Sequence, residues 1–260
     1  MPSIAPAGLA VGLVNLGSDP KKSVDFISDL HLQVSDPATH TAWQNYMQTT
    51  SADAVFILGD LFEVWVGDDV LVEHGFEHQC AQVIKQTASR VPVFFMHGNR
   101  DFLVGSGLMD ACNTTLLADP TVLSFNHQRW VLSHGDALCL DDVDYMQFRQ
   151  QVRSADWQSA FLAKPLMERQ AIARGLRQQS EARKQSGADY ADVDSQAARQ
   201  LLKQAQALTL IHGHTHKPAD HDLGNGMKRI VLSDWDAAAA PPRAEVLRLS
   251  AQGLQRISLV

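Results

Sequence analysis

Five short clusters place metal-binding side chains at intervals along this 260-residue chain. They are Asp29-Leu30-His31, Gly59-Asp60, Gly98-Asn99-Arg100-Asp101, His134-Gly135-Asp136 and Gly213-His214-Thr215-His216. In an extended Asp29-Leu30-His31 segment the first and third side chains point the same way. One cluster alone carries little. Asp-x-His is more often a turn or a hydrogen-bonded core histidine, and Gly-Asp after a strand is commoner still as a plain turn. Five in one chain, each after an apolar run, leave that reading little room. The seven candidate ligands Asp29, His31, Asp60, Asn99, His134, His214 and His216 are too many for one ion and suit two. An Asp60 carboxylate shared between the ions would hold them about 3.5–4 Å apart. Oxygen and imidazole donors without thiolate favour Mn2+, Fe2+ or Zn2+. Two such ions lower the pKa of a bridging water and stabilise in-line displacement at phosphorus. The spacing therefore points to hydrolysis of a phosphoester or phosphoanhydride.

The segments before these clusters must position them. Residues 23–27, 54–58, 91–96, 129–133 and 208–211 are short apolar runs of the kind that form strands buried on both faces. Helical stretches over 39–49 and 73–89 alternate with them, which predicts an α/β layered fold. In such sheets ligands bind beyond the carboxyl ends of the strands, where all five clusters fall. Residues 228–233, 244–249 and 255–259 read as a closing meander, with Asn225-Gly226 as the turn before it. Residues 141–200 differ: rich in Ala, Gln, Arg, Leu and Glu, they favour helix. Trp157, Phe161, Leu162, Leu166, Ile172 and Leu176 recur there at helical spacing. The expected organisation is a tail over 1–22, a core over 23–140 and 201–260, and a helical cap or lid over 141–200. The first residues lack the positive region of a signal peptide.

Composition narrows the function classes. With 45% hydrophobic and 20% charged residues, the chain is neither disordered nor fibrous. No apolar run approaches the roughly 18–20 residues of a membrane-spanning helix. Three cysteines without a CxxC spacing make neither a disulfide framework nor a thiolate zinc site, which fits a reducing compartment. A net charge of −7 and no extended basic face argue against a nucleic-acid partner.

The clusters, in this order, resemble the calcineurin-like metallophosphoesterase superfamily. The longer blocks Phe26–Leu32, Gly59–Asp69 and His97–Leu103 resemble its UDP-2,3-diacylglucosamine diphosphatases of lipid A biosynthesis. His134-Gly135-Asp136 with Asp141-Asp142, Ile211–Pro218 and Val231–Trp235 continue the likeness, over about residues 23–240. The resemblance implies a four-layer α-β-β-α sandwich with a cap and two Mn2+ ions, Zn2+ or Fe2+ being alternatives. One ion would take Asp29, His31, Asp60 and His216, and the other Asp60, Asn99, His134 and His214. It implies attack by a metal-activated hydroxide, releasing UMP and diacylglucosamine 1-phosphate. Asn99, Arg100 and His214 would act on the phosphate oxygens. Asp142 and Ser180 would touch the substrate, with Trp65 and Tyr145 beside the pocket. A monomer on the cytoplasmic face of an anionic inner membrane is the implied setting.

Arg100 permits a chemical check. Many relatives that cleave alcohol esters carry His there, and His can protonate a poor leaving group. Arg cannot, but its fork suits two phosphate oxygens, and a phosphate leaving group needs little protonation. In the cap the family pattern Met-Asp-Val-Asn stands here as Ala191-Asp192-Val193-Asp194, one residue early. The family's lysine position falls on Ser186 or Gly187, with Lys184 as its replacement. The cap's apolar residues either line a groove for acyl chains or form the inner face of a helical hairpin. Arg169, Arg174, Arg177, Arg183 and Lys184 are either solvated helix surface or attractors of diphosphate and anionic headgroups. Asp101 and Asp136 are expected to orient ligands or loops, and His97 and His212 to support them. His40, His74, His78, His127 and His221 read as surface residues. The rivals are a phosphoesterase for another nucleotide diphosphate, cyclic nucleotide or phosphoprotein, and a non-enzymatic scaffold, which would be expected to lose ligands.

Overall fold

Apolar runs too short for helices become strands, and they build two six-stranded sheets. The computed structural model describes residues 11–185 and 191–260, with only the backbone described from 180 to 185. The first part of the chain runs β1 (Gly12–Asn15), β2 (Val24–Ile27), α1 (Pro37–Thr49), β3 (Ala54–Leu58), α2 (Phe76–Ala88), β4 (Val93–Met96), α3 (Ser106–Cys112) and β5 (Thr115–Leu117). A hairpin of β6 (Thr121–Phe125) and β7 (Gln128–Ser133) follows. Then come α4 (Val143–Val152), α5 (Ala155–Leu162), α6 (Leu166–Gln185) and α7 (Ser195–Ala205). The chain closes with β8 (Thr209–His212), β9 (Ala219–Gly224), β10 (Met227–Val231), β11 (Glu245–Ser250) and β12 (Gly253–Ser258).

One sheet has the order β12-β11-β2-β3-β4-β5 and the other β1-β6-β7-β8-β10-β9. Side-chain alternation decides what lies between them. Val24, Phe26, Phe56, Leu58 and Met96 of one sheet meet Leu123, Phe125, Leu132, Ile211 and Ile230 of the other. Their neighbours Ile27, Val55 and Ile57 face outward and are covered by Trp43 and Met47 of α1 and Ile84 of α2. On the far side, Ala198, Leu201, Leu202 and Ala205 of α7 cover Val122, Val131 and Leu210. Helix, sheet, sheet, helix is the four-layer α/β architecture, and every residue of β2 and β3 is buried. Each large apolar side chain buried this way contributes about 1.5–3 kcal/mol. Asp36 and Pro37 start α1, and Asp194 starts α7 by accepting the Ala197 N–H at 2.6 Å.

Three expectations change. Within the expected tail, residues 12–15 form edge strand β1, parallel to β6. Val14 and Leu16 pack inward there, while the exposed Leu13 disguises the alternation. The closing meander is divided: β10 pairs with β8 in one sheet, whereas β11 and β12 form a hairpin beside β2 in the other. The intervening segment crosses the sandwich end, where the Trp235 N–H is bonded to Asp29 O. Finally, α7 runs past the expected cap boundary at 200 and belongs to the layer that covers the second sheet.

Candidate metal centre and substrate cleft

Strands β2, β3 and β4 run parallel and adjacent, as do β7 and β8 in the other sheet, so their carboxyl ends meet at one end of the sandwich. The loops beyond them continue the pairing. Asp29 N–H is bonded to Gly59 O (3.1 Å), and Leu30 and His31 N–H to Asp60 O (2.9 and 3.0 Å). His214 N–H donates to both Asp29 carboxylate oxygens (3.1 and 2.9 Å), which joins the loops of the two sheets. Asp29, His31, Asp60, His214 and His216 all hold left-handed backbone, with φ between 51° and 68°. Such a conformation costs roughly 1 kcal/mol or more for a residue with a Cβ. A plain turn would use Gly or Asn; here the sharp turn aims ligand-type side chains inward.

The side chains converge into two compact groups, Asp29–His31–His216 and Asp29–Asp60–His134. His216 Nε2 lies 3.3 Å from Asp29 Oδ1 and 3.2 Å from His31 Nε2, and His134 Nε2 lies 3.7 Å from Asp60 Oδ2. Asn99 Oδ1 completes the set, 3.0 Å from His134 Nε2 and 2.8 Å from His214 Nδ1. In a neutral His134, Nδ1 donates to Leu58 O (2.9 Å) and Nε2 carries a lone pair. The Asn99 oxygen, His134 Nε2 and an Asp60 oxygen are then acceptors facing one another, an arrangement that calls for a cation among them. With its nitrogen inward instead, the Asn99 amide donates to Asp60 Oδ2 at 3.2 Å. The donor set therefore fits divalent ions.

Without an ion, the carboxylates and imidazoles of the site act strongly on one another. Burial alone would raise the Asp29 carboxyl, but its hydrogen bond to His216 and the nearby His216, His134 and His31 charges hold it well below the usual carboxylate range. Burial opposes protonation of His134, yet the Asp60, Asp29 and Asp136 carboxylates push it up to about 9. Burial and the His134 charge lower His214 to about 4. Asp101 is raised to about 7 by burial and by Asp60. It accepts the N–H groups of Gly98 (2.7 Å) and Leu61 (2.8 Å), so it organises the ligand loops as expected. Asp136 accepts from Tyr145 Oη (2.7 Å) and Arg149 Nε (2.8 Å). His97 and His212 support backbone, within 2.7 Å of Val104 O and 2.8 Å of Gly213 O.

Residues 22–218 match the family model described as calcineurin-like phosphoesterase. The chain belongs to this family. Within this phosphoesterase family its similar relatives are proteins named UDP-2,3-diacylglucosamine hydrolase. The Chromobacterium violaceum protein is 46% identical, over 82% of this chain and 90% of its own length. The Bordetella pertussis protein is 41% identical, over 90% and 93%. The Cellvibrio japonicus protein is 43% identical, over 81% and 90%.

Beside the metal centre of this phosphoesterase a cavity of about 350 Å³ opens between the core and α4–α6. Its lining includes the polar Asn99 and Arg100 and the apolar Phe102, Phe148, Trp157, Phe161 and Leu176. The choice between groove and hairpin interior is thus divided. Trp157, Phe161 and Leu176 line the cavity, with Trp157 and Phe161 stacked at 4.7 Å, while Leu166 and Ile172 pack on the core and Leu162 is exposed. Tyr145 lines the cavity and stacks on His214 at 5.8 Å. Trp65 lines it too, its Nε1 donating to Asp68 Oδ1 (3.1 Å). Asp142 also lines it and caps α4 by accepting Tyr145 N–H at 3.2 Å. The side chains of Ser180, Arg183 and Lys184 lie outside the described part, as do residues Ser186 and Gly187.

The cap's basic residues separate. Arg174 is exposed, but Arg169 is buried, pairs with Asp69 and donates to Val66 O. Arg177 pairs with Glu63. His40 is half-buried against Trp43 and Phe76, with Nε2 shielded and unpartnered, rather than a surface residue. Asp234, 3.9 Å from His216 Nδ1, and Glu63, 3.2 Å from His31 Nδ1, escape sequence reasoning. Neither has ligand spacing; a carboxylate behind an imidazole is visible only once the chain is folded.

Proposed function

We propose that this chain hydrolyses the diphosphate of UDP-2,3-diacylglucosamine to UMP and 2,3-diacylglucosamine 1-phosphate, using two Mn2+ ions. The carrying observation is a cavity whose lining combines Asn99 and Arg100 with the cap aromatics Phe148, Trp157 and Phe161. A diphosphate suits the polar residues of that lining and acyl chains the apolar ones. Asp29, His31, Asp60 and His216 would hold one ion and Asp60, Asn99, His134 and His214 the other; when bound, the ions supply Lewis-acid polarisation of the phosphoryl group and an acidified water. Arg100 N–H is bonded to Asp60 Oδ1 (2.8 Å), and its Nε lies 3.8 Å from Asp60 Oδ2. That backbone anchor sets the guanidinium at the rim of the centre, where its fork binds phosphate oxygens. His214, held neutral by burial, donates or accepts without adding charge beside them. Tyr145 stacks on His214, and the apolar lining would exclude water from the acyl chains.

No described helix is long and apolar enough to cross a membrane. An amphiphilic substrate places the enzyme peripherally on the cytoplasmic face of the inner membrane. The exposed cap residues Val143, Leu162 and Met167, the last 81% exposed, support contact there. One chain carries all the proposed ligands and Arg100, so the reaction needs no second copy. The test is hydrolysis of UDP-2,3-diacylglucosamine with Mn2+, with phosphorus products identified. UMP and the lipid 1-phosphate should form, and EDTA or Asp60→Ala should lower the rate more than about 100-fold. Metal-dependent cleavage of a generic phosphodiester with no turnover of this lipid would retain the metal centre and discard the substrate.

A further inference from the structure

One carboxylate on the loop after β3 is approached by functional groups from three directions. Glu63 follows Asp60 by three residues, and its N–H is bonded to Leu32 O at 3.2 Å where the two ligand loops pair. Its Oε2 lies 3.2 Å from His31 Nδ1. Its Oε1 accepts from Arg100 Nη1 at 3.2 Å and pairs with Arg177 Nη2, which descends from α6. The carboxylate is largely sheltered, 20% exposed, so these contacts are poorly screened by solvent.

Each contact has a consequence. His31 Nε2 is the nitrogen that faces His216 Nε2 across the metal centre, so a ligating His31 must keep its proton on Nδ1. His31 Nδ1 is buried without an aligned hydrogen-bond partner, and Glu63 Oε2 lies 3.2 Å from it. A carboxylate there fixes the tautomer and strengthens Nε2 as a donor to the ion. Arg100 and Arg177 are like charges converging on one oxygen; without the carboxylate they would repel and leave their present geometry.

We propose that Glu63 is a positioning residue that fixes the Nε2-ligating tautomer of His31 and, through its other oxygen, sets Arg100 and ties α6 of the cap to the metal centre. For the role of Arg100 this rests on the diphosphatase reading above. The Glu63–His31 link does not.

The test titrates the full chain with Mn2+, following free ion by paramagnetic resonance, for wild type, Glu63→Gln, Glu63→Asp, Glu63→Ala and Arg177→Met. Thermal unfolding and steady-state hydrolysis at saturating Mn2+ accompany it. Glu63→Gln should weaken one of the two Mn2+ sites about 10–100-fold. At saturating Mn2+ it should still lose about tenfold in kcat/KM, because Arg100 has lost its partner. Arg177→Met should keep both Mn2+ affinities and raise KM alone. If Glu63→Gln unfolds, Glu63→Asp carries the test: the retained charge should keep the affected Mn2+ site tighter than in an uncharged variant such as Glu63→Ala. Unchanged Mn2+ affinities in folded Glu63→Gln, or equal loss in folded Glu63→Asp and Glu63→Ala, would overturn the proposal. Because Mn2+ titration needs no substrate, a wild type inactive on the lipid sinks the substrate reading and leaves this result standing.

Discussion

At the residue scale, the role proposed for Arg100 is to distinguish anhydride from ester chemistry. It lies beside Asp60 with no histidine in its place to act as a proton donor. An anhydride leaving group departs as a phosphate that needs little protonation, whereas an alcohol requires a general acid. The expected outcome for Arg100→His is gain of activity on aryl phosphomonoesters and loss of about 10–100-fold on the diphosphate, the loss of a bidentate phosphate contact. Side-by-side kcat/KM values on the two substrates check this, and unchanged selectivity would count against the role given to Arg100. The candidate ligands that the fold brings together were legible in the sequence because Asp, Asn and His recur after apolar runs. Glu63 and Asp234 were not legible, because contacts with histidines distant in sequence give them their roles.

At the element scale, the docking of α6 matters most. Arg169 and Arg177 are eight residues apart, about two turns, and both lean onto the loop after β3, against Asp69 and Glu63. Arg169 is 3% exposed while Asp69 is 57% exposed, so the pair is half-screened. Asp69→Ala leaves the guanidinium on Val66 O and Lys164 O and should cost about 1–2 kcal/mol, discounted for that solvent exposure. Denaturant unfolding measures the loss. A KM for the lipid that rises with it would show that cap docking shapes the cleft; an unchanged KM would separate the two. Composition announced helices over the cap, but not which arginines were surface. Burial is a property of what packs over a residue, and α6 turns only part of its basic residues outward.

At the scale of the whole molecule, the metal centre gathers carboxylates and imidazoles from both sheets, and their mutual charge sets its pH behaviour. In the metal-free protein the surrounding carboxylates push His134 up to about 9, which favours a proton at neutral pH that a bound cation must displace. Apparent Mn2+ affinity should therefore rise about tenfold per pH unit below pH 9 and level off above it. For folding, a histidine raised above its unfolded value of 6.5 contributes stability that is complete below pH 6.5 and lost as pH rises through about 9. The difference in Tm between Mn2+-loaded and EDTA-treated protein should widen across that window. A difference independent of pH would show that His134 is neutral in the metal-free state.

The sequence by itself determined the α/β class, the order of the ligand clusters and the reaction type. Apolar runs specify buried strands, and ligand-type residues at their ends specify a metal site. It did not determine that β10 and β11 lie in different sheets, that residues 12–15 extend one of them, or that α7 covers a sheet. Strand pairing is a choice among partners of similar local pattern, and only the packing of the two apolar faces selects one. The left-handed backbone at Asp29, His31, Asp60, His214 and His216 was likewise decided by tertiary structure. Locally each of these residues prefers another conformation, and the strain persists because loop-to-loop hydrogen bonds and packing from both sheets hold it.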